Sequence, residues 1–122
     1  YKVFSNSRII GITDSMRATG LKNGTYDLGG LQVNVSDGKA TLENGTIAGS
    51  TLTMDSSLRN VLKFTGTSVE KAIRLYTSNP ARNIGLKDRG SIACGKLADL
   101  VVLDKEYRVK TVIKTGKVVY SN

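Results

Sequence analysis

The chain has 122 residues, 39% apolar and 23% charged, with a formal charge of +8. That length allows one modest core, and the balance excludes a disordered polar tail. The longest apolar run, Leu100–Leu103, is too short for a membrane-spanning helix. The eighteen Lys and Arg are dispersed, and the five Tyr and two Phe sit in no basic cluster. The charge therefore reads as a solvated surface, and no nucleic-acid partner is expected. Cys94 is the single cysteine, which fits a reducing, cytoplasmic setting. With neither a signal peptide nor an initiator methionine before Tyr1, a longer parent sequence is expected.

Residues 7–13 carry Ile9, Ile10 and Ile12 around Gly11, the texture of a short buried strand with a close approach at the glycine. It runs into Thr13-Asp14. Beyond Gly20 the dipeptides Asn23-Gly24, Gly29-Gly30 and Asp37-Gly38 punctuate alternating apolar residues. Strands over 25–28, 32–36 and 39–43, joined by tight hairpins, are expected, with Asn44-Gly45 closing the set. From Thr51 the period changes: Met54, Leu58, Val61 and Leu62 form a helical stripe, capped by Ser50 or Thr51 and stopped at Gly66. A second helix opens with Thr67 and Glu70 at capping-box spacing. Its stripe is Val69, Ala72, Ile73 and Tyr76, and Asn79-Pro80 is expected to end it. A helical turn over 81–83 follows. After Gly90, strands over 91–93, 98–103, 108–115 and 117–120 indicate an antiparallel sheet or half of a sandwich.

The sequence contains no histidine and a single cysteine, so a His-based triad, a His-ligated metal and a Cys cluster are all excluded from this chain. Asp14 stands out among the ten carboxylates because it lies just past the C-terminal end of a buried strand, where barrel enzymes place catalytic groups; the competing reading is a helix cap. Thr46-Ile47-Ala48-Gly49-Ser50-Thr51 is a run of mostly small residues entering a helix. It reads as a loop offering backbone N–H groups to a ligand, or as a plain helix start.

Gly11-Ile12-Thr13-Asp14-Ser15-Met16, Gly24-Thr25-Tyr26-Asp27-Leu28-Gly29-Gly30 and Gly45-Thr46-Ile47-Ala48-Gly49-Ser50-Thr51-Leu52-Thr53-Met54 occur in order. Asn79-Pro80-Ala81-Arg82, Asp88-Arg89-Gly90 and Ala98-Asp99-Leu100 follow. Together they resemble the C-terminal part of the N-acetylglucosamine-6-phosphate deacetylases, which are sugar amidohydrolases. The Gly-Lys and Ala-Asp-Leu tail is common to many amidohydrolases; the first and third segments carry the narrower likeness.

The resemblance implies an α+β piece: the last strand and flanking helices of a (β/α)₈ barrel, plus C-terminal strands of a small β-sandwich. Residues 1–90 would be the barrel's end, with a β-hairpin insertion at about 20–43, and residues 91–122 the sandwich strands. Asp14 would be the catalytic aspartate, facing the metal-bound water and passing its proton to the departing amine. It would touch a divalent metal of the zinc or iron type whose other ligands are absent from this chain. Ile47, Ala48 and Gly49 would hold the sugar-phosphate substrate through backbone atoms. The parent would convert N-acetylglucosamine 6-phosphate to glucosamine 6-phosphate and acetate, while the chain alone would be inactive. Its open edges would favour a homodimer or strand-swapped oligomer. The alternatives are a free-standing β-rich binding module and a different amidohydrolase sharing only the tail.

Overall fold

The structure, a computed structural model, describes residues 1–122. It is α+β with two antiparallel sheets, and no helix is long and apolar enough to cross a membrane. The chain divides into two compact units, Ile12–Ser57 and a second made of Tyr1–Gly11 with Leu58–Asn122.

The Ile12–Ser57 unit is built on β1 (Gly24–Leu28), β2 (Leu31–Ser36), β3 (Lys39–Thr41) and β4 (Ile47–Gly49), in that spatial order. Gly29 and Gly30 both have positive φ, as do Asp37 and Gly38. These pairs close two-residue hairpins at Leu28↔Leu31 and Ser36↔Lys39, because left-handed central residues match the strand twist. The period-two alternation puts Val33 and Val35 inward, onto Met16, Ala18 and Ala40, with Tyr26, Leu28, Leu42 and Ala48 around them. Val33 is fully enclosed, a burial that contributes about 1.5–3 kcal/mol.

β4 departs from the loop expected at 46–51. Gly45 turns at φ 81°, Asn44 Oδ1 accepts the Thr46 N–H at 3.0 Å, and the Leu42 N–H donates to Thr46 O at 2.8 Å. The chain is thereby folded back, and Gly49 pairs with Ala40 and Ile47 with Thr41.

The second unit begins with Tyr1–Gly11; residues 7–13, which run on into the other unit, were expected to form a buried strand and join no sheet in this chain. Asn6–Arg8 is a 3-10 turn and Ile9 after it is extended, residues 9–14 join no strand ladder, and Ile10 is 36% exposed. An extended segment becomes a strand only where a neighbouring backbone accepts its ladder. Here the segment is tied instead to side chains: Asn79 Nδ2 donates to Asn6 O at 2.8 Å and to Ile9 O at 2.7 Å. The close approach at Gly11 is present. Its N–H donates to Leu75 O at 2.9 Å, and a Cβ there would lie 2.2 Å from Cε1 of Tyr76. Gly11→Ala must push the ring or the backbone aside, so a stability loss of about 1–3 kcal/mol is expected. A thermal melt unchanged from wild type would refute that packing.

Helix α1 (Met54–Thr65) buries Leu58 and half-buries Val61 and Leu62. Met54, expected on the same stripe, is 50% exposed, because it opens the first turn. Neither Ser50 nor Thr51 caps α1: Ser50 Oγ accepts the Leu52 N–H at 3.1 Å and Thr51 Oγ1 donates to Gly38 O. Thr53 precedes the helix, and its carbonyl accepts the Ser57 N–H at 2.8 Å. Gly66, at φ 65°, ends α1 as expected.

Helix α2 (Val69–Ile73) begins after Ser68 rather than Thr67. The Ser68 hydroxyl holds the Glu70 carboxyl below its usual range, while Thr67 Oγ1 accepts the Tyr1 hydroxyl at 2.7 Å. The helical path breaks at Thr77, and α3 (Ser78–Asn83) contains Pro80 in its first turn. Proline there sacrifices no helical hydrogen bond, so Asn79-Pro80 opens a helix instead of ending one.

Residues 91–93 form no strand; β5 (Leu100–Leu103), β6 (Val109–Lys114) and β7 (Lys117–Ser121) make the expected antiparallel sheet. Asp99 fastens the β6–β7 turn, accepting Lys114 Nζ at 2.5 Å and the Thr115 N–H at 2.9 Å. The Lys114 hydrogen bond, then the Thr115 N–H, hold its carboxyl below the usual range. The Ala98-Asp99-Leu100 motif is therefore a turn clamp.

Candidate active site

Asp14 is exposed and sits at φ 51°. Left-handed backbone costs a non-glycine residue roughly 1–3 kcal/mol and persists where the surroundings impose it. The surroundings here are explicit. Ser15 forms a parallel bridge with Ser50, the Met16 N–H donates to Ser50 O at 2.9 Å, and Ser15 Oγ donates to Leu52 O. Asp14 is thus the residue before the point where the chain is tied to the end of β4.

The bridge places Asp14 one residue from a contact with the segment that follows Ile47, Ala48 and Gly49. These three differ in what they present. The Ile47 side chain is 82% exposed, whereas Ala48 packs on the core cluster. β4 ends the strand order, leaving one backbone edge outermost. Gly49 faces inward: a Cβ there would meet Met16 Sδ at 3.4 Å and Leu28 Cδ2 at 3.6 Å.

That direction assigns the Gly49 requirement to packing beneath the strand. Gly49→Val would press two γ-carbons toward Met16 and Leu28, with an expected loss of about 1–3 kcal/mol. Denaturant unfolding measures it; a stable variant with only a raised KM would contradict the assignment.

An open groove of about 510 Å³ runs along β3 and β4, with Ser50–Thr53 and Ser56 completing its wall. Its hydroxyl lining was not singled out from sequence, although Ser50-Thr51, Thr53 and Ser56 are visible there as a cluster. Asp14 is not part of that wall. Thr53 Oγ1 lies 2.8 Å from Ser56 Oγ and 2.5 Å from Asp55 Oδ1, so part of this lining is engaged with the first turn of α1.

The residues present do not fit a metal centre. The chain has no histidine, and no three Cys, Asp or Glu side chains gather where they could hold an ion. Asp14 offers one carboxylate.

Residues 4–119 match the amidohydrolase family. The chain belongs to that family. The N-acetylglucosamine-6-phosphate deacetylase of Bacillus subtilis is 40% identical over 94% of this chain and 29% of its own length. An N-acetylgalactosamine-6-phosphate deacetylase of Escherichia coli is 36% identical over 93% of this chain and 30% of its own. The crystal structure of N-acetylglucosamine-6-phosphate deacetylase from Thermotoga maritima superposes with a TM-score of 0.89 at 46% identity, covering 100% of this chain and 34% of that one. The chain thus spans about a third, or less, of the length of these relatives. Amidohydrolase deacetylases of this kind are generally metal-dependent.

Proposed function

We propose that this amidohydrolase chain is part of an N-acetylglucosamine-6-phosphate deacetylase and contributes the group that moves protons in the reaction. The observation that carries the reading is Asp14: a left-handed, exposed carboxylate held next to the tie between Ser15 and Ser50. Water adds to the acetamide carbonyl carbon as Asp14 takes one of its protons. The C–N bond then breaks, the proton passes from Asp14 to the nitrogen, and acetate and the free amino sugar leave. Ile47–Gly49 lies along the sugar phosphate and contacts it through peptide groups, since Gly49 has no side chain to offer and Ala48 is turned into the core.

In the whole protein, residues 9–13 are the last strand of the (β/α)₈ barrel, with Asp14 just past its end, and a neighbouring barrel strand covers Ile10 and Ile12. Residues 1–90 close the barrel, with the hairpin at about 20–43 inserted, and residues 91–122 enter the small β-sandwich. A divalent metal of the zinc or iron type takes its ligands from outside these 122 residues. Val118, Val119 and Tyr120, between 48% and 63% exposed on the edge strand β7, recruit a second copy of the isolated chain. Light scattering should then show dimers or larger species; a strict monomer at high concentration would contradict this.

The galactosamine relative supports a second substrate, the C4 epimer. Comparing kcat/KM of the full-length protein on the two epimers decides the preference. The gluco sugar is expected to be favoured; a preference for the galacto sugar would overturn the substrate assignment.

A further inference from the structure

We infer that Ser50 is a positioning residue for Asp14: its hydroxyl closes a circuit of hydrogen bonds that fixes the backbone carrying the carboxylate. The inference rests on the proposed role of Asp14, and every contact it uses lies within the Ile12–Ser57 unit.

Ser50 is half-buried and directly follows β4. Its carbonyl accepts the Met16 N–H at 2.9 Å and the Thr19 hydroxyl at 3.3 Å. Its own hydroxyl oxygen accepts the Leu52 N–H at 3.1 Å, a turn closed by a side chain instead of a carbonyl. The Leu52 carbonyl in turn accepts the Ser15 hydroxyl. The circuit therefore runs from Ser15 through Leu52 to the Ser50 hydroxyl, and returns from the Ser50 carbonyl to Met16. Thr51 Oγ1 donates to Gly38 O and moors it on the β2–β3 hairpin. Asp14 immediately precedes this circuit.

Asp14 keeps its φ of 51° only while its surroundings impose that conformation. The contacts that do so begin at Ser15 and Met16. Without the Ser50 hydroxyl, the Leu52 N–H loses its partner, and the Leu52 carbonyl that holds Ser15 is no longer fixed. Slack at Ser15 moves the carboxylate, and a displacement near 1 Å costs on the order of 10²-fold in rate. The residue type follows: serine and threonine place a hydroxyl oxygen close to the backbone, and alanine has none. Ile47–Gly49 is held separately, by its pairing with β3. The hydroxyl therefore bears on Asp14 more than on the segment proposed to hold substrate.

The test uses full-length protein and acetate release from N-acetylglucosamine 6-phosphate. Ser50→Ala is expected to lower kcat by about 5–50-fold with KM within about threefold. Ser50→Thr, which restores the hydroxyl, should return kcat to within about threefold of wild type. Ala72→Gly, a buried helix change in the other unit, should lower the melting temperature and leave kcat alone. Combining Ser50→Ala with Asp14→Asn should be no slower than Asp14→Asn alone, because both act through one carboxylate. Folded Ser50→Ala with wild-type kcat, or additive losses in the double variant, would overturn the inference. So would Ser50→Thr no faster than Ser50→Ala, or an equal kcat loss in Ala72→Gly. Should Ser50→Ala fail to fold, Ser50→Cys, which keeps the volume and offers only a weak acceptor, is judged by the same criteria. Wild-type protein releasing no acetate from either epimer would remove the deacetylase reading and this inference together. Active wild type, with Asp14→Asn slow and Ser50→Ala unaffected, would remove the inference alone.

Discussion

Full-length enzyme carrying Asp14→Asn is expected to lose about 10²–10⁴-fold in kcat, with little change in KM. The carboxamide keeps the size of the side chain and tolerates left-handed backbone as aspartate does, so the tie at Ser15 and Ser50 should survive. What disappears is the capacity to accept a proton at neutral pH. The magnitude follows from general acid–base catalysis, and the placement in kcat follows because the proton moves only as the acetamide reacts. Steady-state kinetics with matched metal content separates the two parameters. Near-normal turnover would mean that another group is the base.

The 122 residues alone, given excess zinc and substrate, are expected to show no turnover. A catalytic metal site uses about three protein ligands, and this chain brings one carboxylate at Asp14 to the place, without histidine or any acidic cluster. Water then keeps a pKa near 16 instead of about 7, and an ordinary carboxylate is too weak a base to compensate. On the proposed reading the groups that grip the phosphate also lie outside these 122 residues, which removes positioning worth up to about 7–11 kcal/mol in favourable cases. Acetate release above the buffer blank that Asp14→Asn abolishes would show a more complete site than these residues compose.

The hairpins were readable from sequence because Gly29-Gly30 and Asp37-Gly38 need backbone that few other pairs adopt. The existence of α1 followed from its stripe and from Gly66. The failures share a cause, which is dependence on distant partners. Residues 7–13 have strand composition, yet their hydrogen bonds go to Leu75, Asn79 and Arg82, which no local pattern announces. β4 is too short to show alternation, and the turn at Asn44–Thr46 makes it a strand. Pro80 read as a stop because proline is compatible with both ends of a helix. Asp14 was picked out by its position and by resemblance, whereas its left-handed conformation and its tie to the end of β4 are properties of the folded unit.

The central claim is that Asp14 moves the proton while an acetamide on a sugar phosphate is cleaved. A crystal structure of the full-length Asp14→Asn enzyme with N-acetylglucosamine 6-phosphate tests it most directly. The account predicts the residue 14 side chain within about 3.2 Å of the scissile acetamide or of one bridging water, with main-chain atoms of Ile47–Gly49 against the sugar. Substrate bound in productive density with residue 14 remote from the acetamide would contradict it.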